Sequence, residues 1–367
     1  MIEYVEARNS ALEVIGILDT AQSVIWHSVY YGVGDFEIYI NLNDALSIIS
    51  EARYITRLDN DEVGVIESIL IADDIENGKM VTIKGRFAKS ILDRRIIYNL
   101  SGTSNKATIL KGNVETAVRS LVNSNAIASR SLGILELGAV AGISKIIVDE
   151  NGAAAQKQVS FENLLEYTEA VLKEYGIAST VKLNGNKLQY SVYDGADRSA
   201  DNTDGNQPIV FSKEFDNLVS SEYTYDSTLE KNVALIGGEG EGIDRFCVIL
   251  GSQSGLKRKE VFVDASSIKK TYKDENDVEK TFTDAEYTTL LKAQGHQETS
   301  ALTVSEDFNG VIDITNGNWK YGVDVFLGDI VTVQDNDIGV FKNVRLGEVT
   351  EYQDQDGYTV EAVYQGE

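Results

Sequence analysis

Apolar residues in this chain recur at every second position near both ends and at every third or fourth position in the middle. Period two is the mark of a strand with one buried face; a period of about 3.6 marks a helix. In residues 1–110, Phe36, Ile38 and Ile40 alternate with Glu37, Tyr39 and Asn41, and Val63–Leu70 and Lys79–Gly85 read the same way. Asp59-Asn60-Asp61 and Asn77-Gly78 supply turn residues between them, and Phe87–Leu92 reads as a short helical piece. The period then changes. Val114, Ala117, Val118, Leu121 and Val122 form one helical face, with Asn113 as N-cap and Glu115 at the positive end of the helix dipole. A second helix is expected over Phe161–Tyr175, capped by Ser160 and stopped by Gly176. The hairpin Thr180–Tyr193 then turns at Asn184-Gly185-Asn186. The polar stretch Asp197–Gln207, before the single proline Pro208, is the clearest loop in the sequence.

From 209 the strand pattern returns. Val233–Gly237, Arg245–Gly251, Gly310–Ile314, Asp329–Val333, Val344–Glu351 and Tyr358–Tyr364 are expected strands. They are interrupted by the charged run 269–280, which reads as a hairpin tip, and by a helix. Thr283 and Glu286 have the spacing of a capping box, and Gly295 is the expected stop. The chain thus divides into 1–110, 111–208 and 209–367: β, α+β, and β with a helical insertion near 264–300. Short strands at this spacing imply barrels or sandwiches. The tripeptide Tyr-Gly-Val recurs at 31–33 and 321–323, a sign that the two β segments are related.

Composition removes several functions. With 43% hydrophobic and 25% charged residues the chain has the make-up of a globular protein, not a disordered one. One cysteine, Cys247, rules out an internal disulfide and a cysteine zinc site. The net charge of −25 opposes binding of nucleic acid through a basic groove. Residues 211–367 hold 14 basic and 30 acidic groups, so most of the excess lies there. The charge can serve solubility, or a surface to which a passing polyanion must not adhere. Leu132–Val148 is too short and too polar to span a bilayer, and the acidic N-terminus is unlike a signal peptide. A soluble protein made in a cytosol is expected.

No catalytic or metal constellation emerges. Gly237–Gly242 lacks the spacing of a dinucleotide loop and carries Glu239 and Glu241, so a tight bend is expected. Calcium-loop spacing fails from Asp59 and near Asp354–Asp356, where at most a weak surface cation site is expected. His27 sits in an apolar strand and reads as a packed residue; His296 follows a helix end; Cys247 reads as a buried thiol between Phe246 and Val248. Only Trp26 and Trp319 are available to stack on sugars. No catalytic residue, cofactor or metal ligand is assigned.

The order of the segments resembles the tail hub proteins of long-tailed bacteriophages and of phage-derived particles such as tailocins. The residues that carry the resemblance are Gly34–Ile38, Val65–Glu67, Val81–Arg86, Ile91–Arg95, Glu115–Asn123, Gly238–Arg245, Tyr287–Gly295, Tyr321–Val333 and Val349-Thr350. It implies two β-barrel domains per chain and an α+β domain decorating the outside. Three chains would make a tube-like ring that matches a hexameric tail tube to the tip. It implies a homotrimer contacting distal tail or tail tube proteins, the tape measure and a tip, spike or fibre protein. It also implies a place in the virion tail after synthesis in the host cytoplasm, with DNA passing through the lumen without sequence-specific binding. Some relatives carry a C-terminal peptidase or lysozyme domain, for which no room is expected here after the last strand. A peptidoglycan-degrading enzyme and a receptor- or carbohydrate-binding tip module are the alternatives.

Overall fold

The computed structural model describes residues 2, 4–74, 78–149, 152–273, 278–312 and 319–366. Most strands belong to one 13-stranded sheet. Eight strands form its body: β1 (Ser23–Val29), β2 (Asp35–Asn41), β3 (Val63–Asp74), β4 (Gly78–Phe87), β5 (Leu218–Asp226), β6 (Ser305–Ile312), β7 (Val340–Asp354) and β8 (Gly357–Gly366). They lie in the order β5-β6-β8-β7-β1-β2-β4-β3, and every neighbouring pair is antiparallel. Tyr54–Arg57, Val5–Arg8 and Val14–Ile17 continue the sheet beyond the start of β3. Ile330–Asp335 joins β7, and Val210–Ser212 pairs with it in parallel.

The alternation in β2 does what its period demands. Phe36, Ile38 and Ile40 are buried, while the residues between them are partly exposed. With Trp26, Val81 and Ile83 they form one core, closed by Ala45 and Ile48 of helix α1 (Leu42–Ile49). Fully burying each of these aliphatic or aromatic side chains contributes roughly 1.5–3 kcal/mol relative to leaving it in water. A second core gathers Phe211, Phe308, Val331, Val333, Leu346, Val360 and Tyr364.

The two expected barrels are therefore two halves of one sheet, and backbone pairing among the described residues does not close either half. The reason lies in β7, fifteen residues long, which pairs with β8 along one edge and with β1 along the other. Hydrogen-bonding groups that could close a half on itself are used to join the halves.

The α+β unit packs α2 (Val114–Val122) and α3 (Leu164–Glu174) on a small sheet of Leu135–Leu137, Lys187–Tyr193 and Ala178–Asn184. Its core also takes Ala88, Ile91, Leu92 and Ile97 from the 3₁₀ segment Ala88–Arg94 and the residues after it. Asn113 caps α2 through the Thr116 N–H, as its position suggests. Glu115 does more than meet the dipole: its buried carboxylate accepts the backbone N–H groups of Ala141, Gly142 and Ile143. α3 begins three residues later than expected. Its N-cap is Asn163, which accepts from Leu165 and Glu166, while Ser160 accepts from the Asn105 amide instead. Phe161 has φ +66, which excludes it from the helix.

The insertion packs α4 (Asp284–Thr299) on a sheet of Cys247–Leu250, Val233–Gly237 and Glu260–Asp264. The capping box of Thr283 and Glu286 forms as read. Gly295 does not stop the helix, which runs on to Thr299. A Cβ at Gly295 would lie 2.3 Å from Ile236 Cδ1, so the glycine serves close helix–sheet approach. In the charged run, Thr271–Lys273 pairs with Glu279–Thr281 as a hairpin; its tip, 274–277, lies outside the described residues, as do Asn77 and the end of the expected strand Gly310–Ile314. No helix among the described residues is long and apolar enough to cross a membrane.

Candidate functional site

The residues singled out in the sequence are scattered. Cys247 is exposed, not buried: Phe246 and Val248 take the core phase of the strand, and period two turns Cys247 outward. Gly237–Gly242 forms a bend, with φ +103 at Gly240 and the Glu239 N–H donated to Tyr287 Oη at 2.8 Å. His296 lies in the last turn of α4, with Nε2 buried and without a partner. Asp354 Oδ1 accepts the Asp356 N–H, and Asp59 pairs with Arg57, so these acids serve turns and an ion pair. No group of three His, Cys, Asp or Glu placed to hold a metal occurs among the described residues.

The residues that do converge lie where the halves meet. β7 and β1 pair from Glu348 opposite Val29 to Gln353 opposite Val24. On the core side, the Arg57 guanidinium lies 5.2 Å from the centre of the Trp26 ring. It donates to Glu351 at 2.8 Å and to Asp59 at 2.6 Å. Tyr358 donates to the other Glu351 oxygen. Glu62 accepts from Ser28 Oγ at 2.5 Å and Trp26 Nε1 at 3.0 Å, and burial raises its carboxyl above the usual range. Trp26, one of the two tryptophans open to sugar stacking from sequence, is thus sealed in the core.

On the opposite face, His27 bridges the halves. Nδ1 lies 3.1 Å from Asp35 and Nε2 3.1 Å from Glu348. Hydrogen bonding to Glu348, reinforced by Asp35, outweighs partial burial and raises the imidazole to about 9, while Glu348 is lowered in turn. His27 is therefore a cationic clasp and not a packed apolar residue: it sits in the strand phase opposite to buried Trp26 and meets two carboxylates. Both ring nitrogens are committed, which leaves no base for a serine or thiol nucleophile here. Arg57 and Glu351, 294 residues apart, carry no local signal that would have linked them in the sequence.

The halves repeat one another. Each runs first strand, second strand, fourth strand, third strand: β1-β2-β4-β3 and β5-β6-β8-β7. One cross-strand row reads Trp26–Phe36–Gly85–Ile66 and its counterpart Tyr223–Phe308–Tyr364–Leu346. Immediately after Ile66, and again after Leu346, the third strand carries a bulge. The recurring Tyr-Gly-Val tripeptides do not occupy equivalent places. The first lies between β1 and β2, the second between β6 and β7.

A two-half chain of this kind can be compared with known families. The model of the Siphovirus ReqiPepy6 Gp37-like proteins matches residues 4–364. The chain belongs to that family. No curated protein sequence matches it. Among solved structures, the tail protein from Neisseria meningitidis MC58 superposes with a TM-score of 0.56 at 14% identity, covering 100% of this chain and 97% of that one. The 43 kDa tail protein of prophage MuSo2 from Shewanella oneidensis gives 0.55 at 10% identity, over 99% and 98% of the two chains. Prophage tail protein gp18 from Listeria monocytogenes EGD-e gives 0.50 at 11% identity, over 100% and 94%. This family member thus shares its fold with phage tail proteins over nearly the full length of each.

Proposed function

We propose that this chain is the structural hub of a phage or phage-like tail. Three copies form a ring that joins a hexameric tail tube and the tape measure to the tip, spike or fibre. One observation carries the reading: the fold shared end to end with phage tail proteins is built of two equivalent halves. Three chains of two halves present six alike units to a sixfold tube. Residues 1–110 and 209–367 supply the halves. Residues 111–208 stand outside them, as does the insertion in which α4 packs on the separate sheet of Val233–Gly237, Cys247–Leu250 and Glu260–Asp264. The chain is made in the host cytoplasm and incorporated in the virion tail, and it acts without cofactor or catalysis.

The sheet face turned away from the cores lines the channel. In support, Asp35, Glu37, Asp307, Glu348 and Glu361 alternate along the strands with buried Phe36, Phe308, Val349 and Val360. Lys84 on that face is paired to Glu37 at 2.6 Å. An acidic lining lets DNA pass without adhering.

Electron cryomicroscopy of the assembled particle tests this. The expected result is three copies of the chain between tube and tip, with this face inward. A chain located elsewhere, or lysis of peptidoglycan by the isolated chain in a zymogram, overturns it.

A further inference from the structure

The acid excess of the chain is reversed in one stretch. Residues 94–130 hold six arginines and lysines and a single acid, Glu115, in a chain of net charge −25. Glu115 is buried and its carboxylate is taken by three backbone N–H groups, so it does not face the cations of the surface.

Two of the six cations lock together at the surface of the α+β unit. Arg95 donates Nε–H to the Arg130 carbonyl at 2.9 Å, and Arg130 donates to the Ile96 carbonyl at 2.9 Å. The Arg130 guanidinium lies 3.8 Å from the centre of the Tyr98 ring. Their other acceptors among the described residues are the carbonyls of Arg94 and Ser131 and the side-chain amide of Asn125, all neutral. By contrast, Arg57, Arg86, Arg198 and Arg245 each hold a carboxylate. In so acidic a chain, two adjacent guanidiniums without a counter-charge are a feature to be explained.

The same surface turns apolar side chains to water. Ile96 is 48% exposed and Leu100 57%. Phe161, which donates its N–H to the Ile97 carbonyl at 2.7 Å, is 62% exposed. Arg130 and Phe161 are also two of the four non-glycine residues with positive φ among the described residues, at +53 and +66. That conformation is strained for a bulky side chain, and packing does not repay it at Phe161, whose ring stands mostly in water. Exposed aromatic and aliphatic groups beside arginine are the make-up of an interface anchor.

We infer that this face of the α+β unit binds a short acidic segment of a different protein. Carboxylates of the segment meet the Arg95 and Arg130 guanidiniums, and an apolar neighbour packs on Ile96, Leu100 and Phe161. Charge complementarity selects the occupant, because the guanidinium fork matches a carboxylate and lacks one here. Acids bound the patch and keep the segment short: Asp93 accepts from Asn163 at 2.9 Å, and Glu162 stands beside Glu166 and Glu298. A long polyanion such as DNA would run onto these acids and would leave the three apolar side chains unused. The inference rests on the reading of the chain as a tail component, and adds to it a partner surface outside the two halves.

The test is photocross-linking in assembled particles carrying the full chain, with Phe161→p-benzoylphenylalanine as the probe. The substitution exchanges one exposed aromatic ring for another, so folding is not at stake. The expected product joins this chain to a different protein of the particle, and mass spectrometry places the link in a segment where acids outnumber bases. Arg95→Gln with Arg130→Gln keeps hydrogen-bond donors for the carbonyls but removes the charge, and should lower the yield at least about fivefold. Arg95→Lys with Arg130→Lys keeps the charge and should retain most of the yield, which a merely structural role for the two arginines would not allow. Equal yields from the glutamine and lysine pairs, links only to DNA or to another copy of this chain, or no link in particles that contain the chain overturn the inference and leave the hub reading intact. A chain missing from purified particles overturns both.

Discussion

Arg57 is the cation on which the core side of the joint depends, and removing it has a calculable cost. Its side chain is 1% exposed and holds Glu351, at 6%, from the other half. Arg57→Met keeps the apolar stem over Trp26 but leaves the Glu351 carboxylate buried without its counter-charge. Breaking one side of a buried pair costs about 3–5 kcal/mol, because the remaining ion keeps its desolvation penalty. Replacing both partners, as Arg57→Met with Glu351→Leu, removes the stranded charge and restores most of that loss. Urea unfolding followed by tryptophan fluorescence reads both, since Trp26 lies against the guanidinium. With a slope near 3 kcal/mol per molar, the single variant lowers the midpoint by about 1–2 M. A loss below about 1 kcal/mol in the single variant, or a double variant no more stable than the single, refutes the claim that this pair holds the halves together.

The histidine clasp predicts a pH dependence of its own. His27 rises from 6.5 to about 9 on folding, so its contribution is complete below pH 6.5 and decays as pH increases through 9. Because Asp35 is well exposed, solvent screening limits it to about 1–2 kcal/mol. His27→Gln should lose that amount at pH 6 and flatten the stability profile between pH 6.5 and 9, measured by urea midpoints across the range. At Gly85 a Cβ would lie 1.8 Å from the Val65 carbonyl oxygen, a backbone atom beside the bulge in β3. Gly85→Ala is expected to cost at least about 3 kcal/mol or to abolish soluble expression, whereas a neutral result would mean the two strands separate there.

Much of the secondary structure was legible because its causes are local. Alternation sets the face of β2, Asn113 caps α2, Thr283 and Glu286 cap α4, and Gly185 turns the hairpin that follows α3. Local rules misled where tertiary packing overrode them. Gly295 looked like a stop because glycine disfavours helix, yet close approach to Ile236 gives it a reason to be inside one. Cys247 looked buried because its neighbours are apolar, but its strand has a solvent face. His27 looked apolar by context until Glu348 arrived from 321 residues away.

By itself, the order of residues determined the position of many strands and helices and that acid outweighs base, since hydrophobic period and charge belong to the chain in any conformation. Which strand lies beside which was decided only in the folded state. The edge of a strand is backbone, alike in every residue, and it records nothing of its partner; the long β7, the bulge after Leu346 and the buried Arg57–Glu351 pair make that choice together. The same physics explains why two separate barrels were expected and one open, twice-repeated sheet was found.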